Sequence, residues 1–156
     1  MVTGMTAISP FGIRRAALIH ATPERVWEEF TTLERMQAWY GTGHTLTEYE
    51  PKVGATVVTR WGEDLANSAR GEVLVFDPPR ELTFEQLWEG TDWRGEEWKA
   101  PAKVTILLTP AAQGTLVEIY HHGYELVTDD PAALISGFED GWDTHHLDAL
   151  ARLVEG

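Results

Sequence analysis

The stretch ATPERVWEEFTTLERMQAWY at residues 21–40 restricts what this chain can fold into more than any other part of it. It sets a helix start, an amphipathic helix and a Trp-Tyr pair directly behind a short apolar segment, RRAALIH at 14–20, that reads as a strand. Thr22 suits the N-cap, and Pro23 suits the first helical position, where its missing N–H costs nothing. Glu24 and Arg25 open the first turn, and Val26, Trp27 and Phe30 form one apolar face. Residues 33–40 read as a second short helix ending near Gly41.

Behind these helices the pattern becomes that of a sheet. Segments near 45–50, 55–61, 70–77, 81–88, 102–109 and 115–122 read as strands, divided by turn signals such as Pro51-Lys-Val-Gly54, Asp77-Pro-Pro-Arg80 and Ala111-Ala-Gln-Gly114. This spacing predicts an antiparallel meander. Asp129, Asp130 and Pro131 then supply cap and first-turn chemistry for a helix over about 131–154, whose apolar stripe is Leu134, Phe138, Trp142, Ala149, Leu150 and Leu153. The expected class is α+β: a curved antiparallel sheet of about six to seven strands wrapped around a long C-terminal helix, with two short helices after the first strand. The space between sheet and helix can hold a ligand. Residues 1–12, with Gly4, Pro10 and Gly12 and no clear period, read as a loose leader, and 13–156 as a single domain.

Several of these segments occur together in a known pattern. A strand is followed by a Pro-Glu-x-Val-Trp helix (Pro23, Glu24, Val26, Trp27), then by a Trp-aromatic pair (Trp39, Tyr40). GEVLVFDPPR at 71–80 supplies a strand and a Pro-Pro-Arg turn, GTLVEIYH at 114–121 a last strand, and Gly141-Trp142 opens the second half of the C-terminal helix. Over roughly residues 14–155 the chain resembles the START-like (SRPBCC, helix-grip) superfamily, in its branch of activator-of-heat-shock-protein-90-ATPase homologues. The resemblance implies a helix-grip fold with a ligand space between sheet and helix. It also implies two other uses met in relatives: stimulation of a chaperone ATPase by protein contact, and aromatase/cyclase-type folding and dehydration of polyketides.

Composition narrows the classes further. The chain of 156 residues is 43% hydrophobic, enough for one substantial core. No run approaches the roughly 20 apolar residues of a membrane span, and the N-terminus lacks a basic region followed by an apolar core, so no membrane insertion and a cytoplasmic location are expected. The absence of cysteine removes disulfides, thiolate metal sites and a cysteine nucleophile. Twelve Lys+Arg against 25 Asp+Glu give a formal charge of −13, which repels phosphate backbones and anionic lipid; no nucleic-acid partner is expected.

Strand alternation indicates which side chains face the interior. Glu118 turns to solvent, which sends Val117, Ile119 and His121 inward. Val104, Ile106 and Leu108 share one side, as do Leu82, Phe84, Gln86 and Trp88. Most of these are expected to be plain core. The histidine pairs His121-His122 and His145-His146 cannot chelate as pairs, because strand neighbours face opposite ways and helix neighbours diverge by about 100°. A metal site would need His121 with His145 or His146 and a carboxylate such as Glu139 or Asp143, and no metal is expected. Glu139, Asp140 and Asp143 share a helix face and read as solvated surface rather than as general acids. Trp88, Trp93 and Trp98 read as a structural ladder in a Gly-containing hairpin, with Trp88 pairing with Trp98 and Trp93 at the exposed tip. A pocket rim or a homodimer contact is the other use of that tip. Ser9, Ser68 and Ser136 lack a nucleophile-elbow setting, and there is no Gly-rich phosphate loop.

The favoured reading, as the START-like resemblance implies, is a non-catalytic or weakly catalytic module. It holds a small apolar or aromatic molecule between sheet and C-terminal helix and needs no cofactor. Val57, Trp61, Phe84, Trp88, Ile119, His121, Phe138, Trp142 and His145 are the expected lining, with His121 as first choice for a polar contact. The alternatives are a protein-interaction module of the chaperone-ATPase-activator kind and a polyketide cyclase/dehydratase-like enzyme.

Overall fold

The computed structural model describes residues 7–41, 44–139 and 144–156. Strand β1 (Gly12–Ile19) leads into α1 (Pro23–Trp27), a 3-10 turn (Glu28–Phe30) and α2 (Leu33–Trp39). Six strands follow: β2 (Thr45–Glu48), β3 (Thr56–Trp61), β4 (Asn67–Asp77), β5 (Glu81–Trp88), β6 (Ala102–Ala111) and β7 (Gly114–His122). They form one seven-stranded sheet in the order β1-β7-β6-β5-β4-β3-β2, antiparallel throughout. The predicted meander therefore runs from β2 to β7, and β1 pairs with the far edge of β7. The chain ends with α3 (Tyr124–Val127), α4 (Pro131–Phe138) and α5 (His145–Glu155). No described helix is long and apolar enough to cross a membrane.

Local chemistry accounts for the helix starts. Thr22 caps α1 by accepting from the Arg25 N–H at 3.2 Å, and Thr32 does the same for α2 with the Arg35 N–H at 3.1 Å. Asp130 occupies the N-cap of α4 ahead of Pro131, but its side chain makes no capping bond. The Thr128 hydroxyl instead accepts from the Asp130 N–H at 3.3 Å. The helical region expected over 131–154 is described as two segments. Helix α5 starts afresh at Thr144, which has non-helical φ/ψ and whose carbonyl accepts from the Asp148 N–H at 2.8 Å. The expected burial of Trp142, and the carboxylates Asp140 and Asp143, lie outside the described residues; Glu139 is exposed.

Helices α1 and α2 close one half of the sheet's inner face. Trp27 stacks on Phe30 at 4.8 Å, and Phe30 meets Trp39 at 5.1 Å. Trp39 Nε1 donates to the Glu29 carbonyl at 3.1 Å, and the Tyr49 hydroxyl donates to the Phe30 carbonyl at 2.6 Å. The Glu29 carboxylate, itself buried, accepts from Arg25 at 2.7 Å and Arg35 at 3.0 Å, which staples the two helices together.

The alternation read for β7 is present: Val117, Ile119 and His121 are buried on the helix side. His122 is buried on the opposite side. The Ser9 N–H donates to its Nδ1 at 3.2 Å, so Nε2 carries the proton and donates to the Thr105 hydroxyl at 2.8 Å. That hydroxyl lies 3.2 Å from Thr83, which donates to the Glu81 carboxylate at 2.6 Å. These four buried side chains form a ladder across β7, β6 and β5 in which each hydroxyl has a partner.

Candidate functional site

The other half of the inner face is hollow. A cavity of about 340 Å³ lies between β3, β4, β5, β6 and β7 on one side and α2, α4 and α5 on the other. Its aromatic wall comes from the ends of β3 and β5, the β5–β6 connection and α4. Trp61 meets Trp88 edge-on at 4.8 Å, Trp88 lies 5.5 Å from Trp93 and 6.1 Å from Trp98, and Phe138 lies 5.0 Å from Trp93 and 5.0 Å from His121. A second end is built by Tyr40, His44 and His146. The Tyr40 and His146 rings stack at 5.4 Å, and His44 meets each of them at 5.6 Å.

The connection that carries Trp93 and Trp98 is held by one carboxylate. Asp92 accepts from Arg94 Nη2 at 2.8 Å, from the Arg94 N–H at 2.8 Å and from Trp98 Nε1 at 2.9 Å. Burial pushes the Asp92 carboxyl up, but the hydrogen bonds from Arg94 and Trp98 outweigh it and hold the group below its usual value. Trp93 is not a free tip. It is 48% exposed, yet its ring covers Gly137, where any Cβ would collide with it. The absence of a side chain on α4 at this point is what brings the indole onto the cavity.

The described lining carries no Lys, Arg, Asp or Glu. Two of its histidines, His121 and His44, are held neutral. Burial, with a smaller contribution from the neighbouring His122, pushes the His121 pKa down to about 3; burial and then His145 push His44 down to about 4. His121 Nδ1 pairs with the Tyr124 hydroxyl at 2.6 Å. Desolvation raises the Tyr40 and Tyr124 phenols far above their usual value, so both stay protonated at any ordinary pH. Two further polar groups face the cavity, Thr59 from β3 and Gln86 from β5. Among the described residues no group of three or more His, Cys, Asp or Glu could hold a metal ion.

Of the residues expected from sequence, the structure brings Trp61, Trp88, His121 and Phe138 to the cavity wall. Phe138 is half-buried there rather than sealed against the sheet. Val57, Phe84 and Ile119 do not line the cavity; they are 0%, 0% and 1% exposed and belong to the packed core. His145 does not line it either. Its neighbour His146 does, because one residue along α5 turns the side chain by about 100°. Trp142 lies outside the described residues. Tyr40, His44, Thr59, Gln86, Trp98 and His146 line the cavity without being among the expected lining, and Trp93 does so as the pocket rim that was the other use of its hairpin tip. Thr59 was within reach, since it shares a strand face with Val57 and Trp61.

The model of the Activator of Hsp90 ATPase homolog 1-like protein family matches residues 20–155. No curated protein matches the sequence. Among solved structures, protein MLL2253 from Mesorhizobium loti is 21% identical, with a TM-score of 0.72 over 92% of this chain and 96% of that one. DynU16, a protein of the dynemicin biosynthetic locus, is 20% identical with a TM-score of 0.70 over 94% of this chain and 48% of its own. The Aha1 dimer from Colwellia psychrerythraea is 18% identical, with a TM-score of 0.61 over 92% and 96%. At these identities the likeness is one of fold: a seven-stranded antiparallel sheet with helices against its inner face.

Proposed function

Since the chain belongs to the Activator of Hsp90 ATPase homolog 1-like family and has its START-like fold, we propose that it is a binding module for a compact, neutral, aromatic small molecule held between the sheet and the C-terminal helices. One observation carries this reading: a cavity of about 340 Å³ whose described wall holds four tryptophans, Phe138 and Tyr40 and no charged side chain. Such a wall offers offset and edge-on ring contacts to a flat apolar guest and nothing to neutralise an anion. The volume sits at the small end of the roughly 300–1,000 Å³ range of ligand pockets, which fits two or three rings better than a long acyl chain.

Binding without turnover is favoured by the state of His121 and His44. General acid–base catalysis works best with a group whose pKa lies near the working pH. His121 at about 3 and His44 at about 4 are weak bases there, and no lining carboxylate stands beside them among the described residues.

The test is a titration of the protein with a panel of matched probes, read by intrinsic tryptophan emission and by calorimetry. Neutral bicyclic aromatics are expected to bind with one-to-one stoichiometry and to quench emission, because four tryptophans among the described residues line the cavity. Their carboxylated analogues and a saturated fatty acid are expected to bind at least about tenfold more weakly, the equivalent of roughly 1.4 kcal/mol. Preference for the carboxylates or the acyl chain would reject the reading.

A further inference from the structure

Among the described residues only two buried polar side-chain atoms lack a partner, Trp27 Nε1 and Thr59 Oγ1. Thr59 is 4% exposed and stands on the cavity wall. The fold does not leave such hydroxyls unpaired as a rule. Thr83 and Thr105 are tied into the ladder on the opposite face, Thr115 donates to the Ala21 carbonyl at 2.8 Å, and Ser68 donates to Glu89 at 2.7 Å. An orphaned hydroxyl inside a ligand-sized space is a group whose partner comes from elsewhere.

Gln86 stands at the same wall with a complementary need. Both protons of its Nε2 are used, one on the Val57 carbonyl at 3.2 Å and one on the Glu85 carbonyl at 3.0 Å. The first of these bonds reaches across β4, where Gly71, opposite Val57, has no side chain in the way. The two carbonyls also fix the orientation of the amide, because a flipped group would set its oxygen against two other acceptors. What remains of Gln86 is an oxygen that can only accept. Val57 and Thr59 are two residues apart on β3 and so share a face, which puts the Thr59 hydroxyl one strand step from the carbonyl that Gln86 grips.

We infer that Gln86 and Thr59 form a hydroxyl-reading pole in the cavity, and that the ligand class is a neutral aromatic alcohol or phenol. This rests on the aromatic-cavity reading above. A phenolic O–H donates to Gln86 Oε1, and its oxygen accepts from the Thr59 O–H, so one group satisfies both. A carboxylate or phenolate cannot donate to Gln86 and finds no cation in the described wall. An ether satisfies only Thr59, and a plain hydrocarbon satisfies neither.

The experiment uses three probes of one ring system, a naphthol, its methyl ether and naphthalene, titrated at neutral pH against the wild type and variants whose folding is checked by circular dichroism. The wild type is expected to bind them in that order, with each step about fivefold to tenfold, the worth of one hydrogen bond to a partner otherwise left unpaired. Gln86→Met abolishes the difference between naphthol and ether. Thr59→Val abolishes the difference between ether and naphthalene, and Thr59→Ser keeps it. Thr59→Val also raises the melting temperature of the free protein, because it removes a buried hydroxyl that has no partner; a fall would mean that the hydroxyl is already paired and would overturn its role as donor. Should Gln86→Met fail to fold, the two Thr59 variants decide alone. Equal binding of the three probes, or an order that the substitutions leave intact, overturns the pole while the aromatic cavity stands. Failure of all three to bind overturns both.

Discussion

Two aromatic clusters sit on the same inner face of the sheet, and they are built to different ends. In the solid half, Trp27, Phe30, Trp39 and Tyr49 are each at most 5% exposed, and α1, the 3-10 turn and α2 carry three of these rings down onto the strands themselves. In the hollow half, Trp61, Trp88, Trp93 and Trp98 project from strands and a connection toward α4, which answers with Gly137 where a side chain would fill the space. Residue type therefore does not decide whether an aromatic cluster is core or site. What decides it is whether the covering element brings volume with it.

The comparison is broken most directly by matched truncations. Trp39→Ala removes a fully buried indole and leaves the Glu29 carbonyl without its 3.1 Å donor. It is expected to cost about 3–5 kcal/mol in urea unfolding. Trp88→Ala, at a half-buried position facing the cavity, is expected to cost only about 1–2 kcal/mol, since water or ligand takes the vacated space. Equal losses would mean that the second half packs as tightly as the first and that the cavity is no site.

Acid probes the same contrast. Among the described residues the ring contacts of Trp27 and Phe30 in the solid half involve no histidine, whereas His44 and His121 line the hollow half and His122 lies behind it. Folding depresses the pKa of all three from 6.5, to about 4, 3 and 4 respectively. The folded state thus binds fewer protons than the unfolded one between pH 6.5 and these values. Stability is fully present above pH 6.5 and declines as the pH falls toward 4, by roughly 2 kcal/mol for a single such group at pH 5. Melting curves from pH 7 to 4.5 test this. A flat profile over that window would show that these imidazoles are open to water and that the hollow half is looser than the structure has it.

Much of this was legible in sequence, and what was not has a physical reason. Strand alternation turned His121 inward beside Ile119 and aligned Gln86 with Trp88, because the period of two survives any detail of packing. The same rule set Phe84 and Ile119 on the inner face without revealing that α2 and the other helices would cover them; facing inward and facing the cavity differ only through tertiary packing. The cluster of Tyr40, His44 and His146 draws on the end of α2, the approach to β2 and the first turn of α5. Only the packing of α2 against α5 brings these together, and no local pattern encodes it. The choice between His145 and His146 depends on the helical phase of α5, which is set by where the helix restarts at Thr144 rather than by a stripe extended from Leu134. Asp92 was invisible because its partners are turn groups of a connection whose course follows from the carboxylate itself.

The smallest expected effect falls where the two halves differ by a single side chain. Gly137→Ala in α4 gains helix propensity of up to about 1 kcal/mol, but the new Cβ collides with the far end of the Trp93 indole. That indole is 48% exposed, so it can swing outward with little loss of burial. The two contributions nearly cancel, and the expected net change in unfolding free energy is within about 0.5 kcal/mol, the range of surface substitutions. The cavity should register what stability does not. Trp93 loses its seat against α4, its emission shifts to the red, and naphthol binding weakens as that part of the wall opens. A loss of stability above roughly 2 kcal/mol, the mark of overpacking, would instead show that Trp93 is locked in place as firmly as Trp39 and would erase the distinction between the two halves.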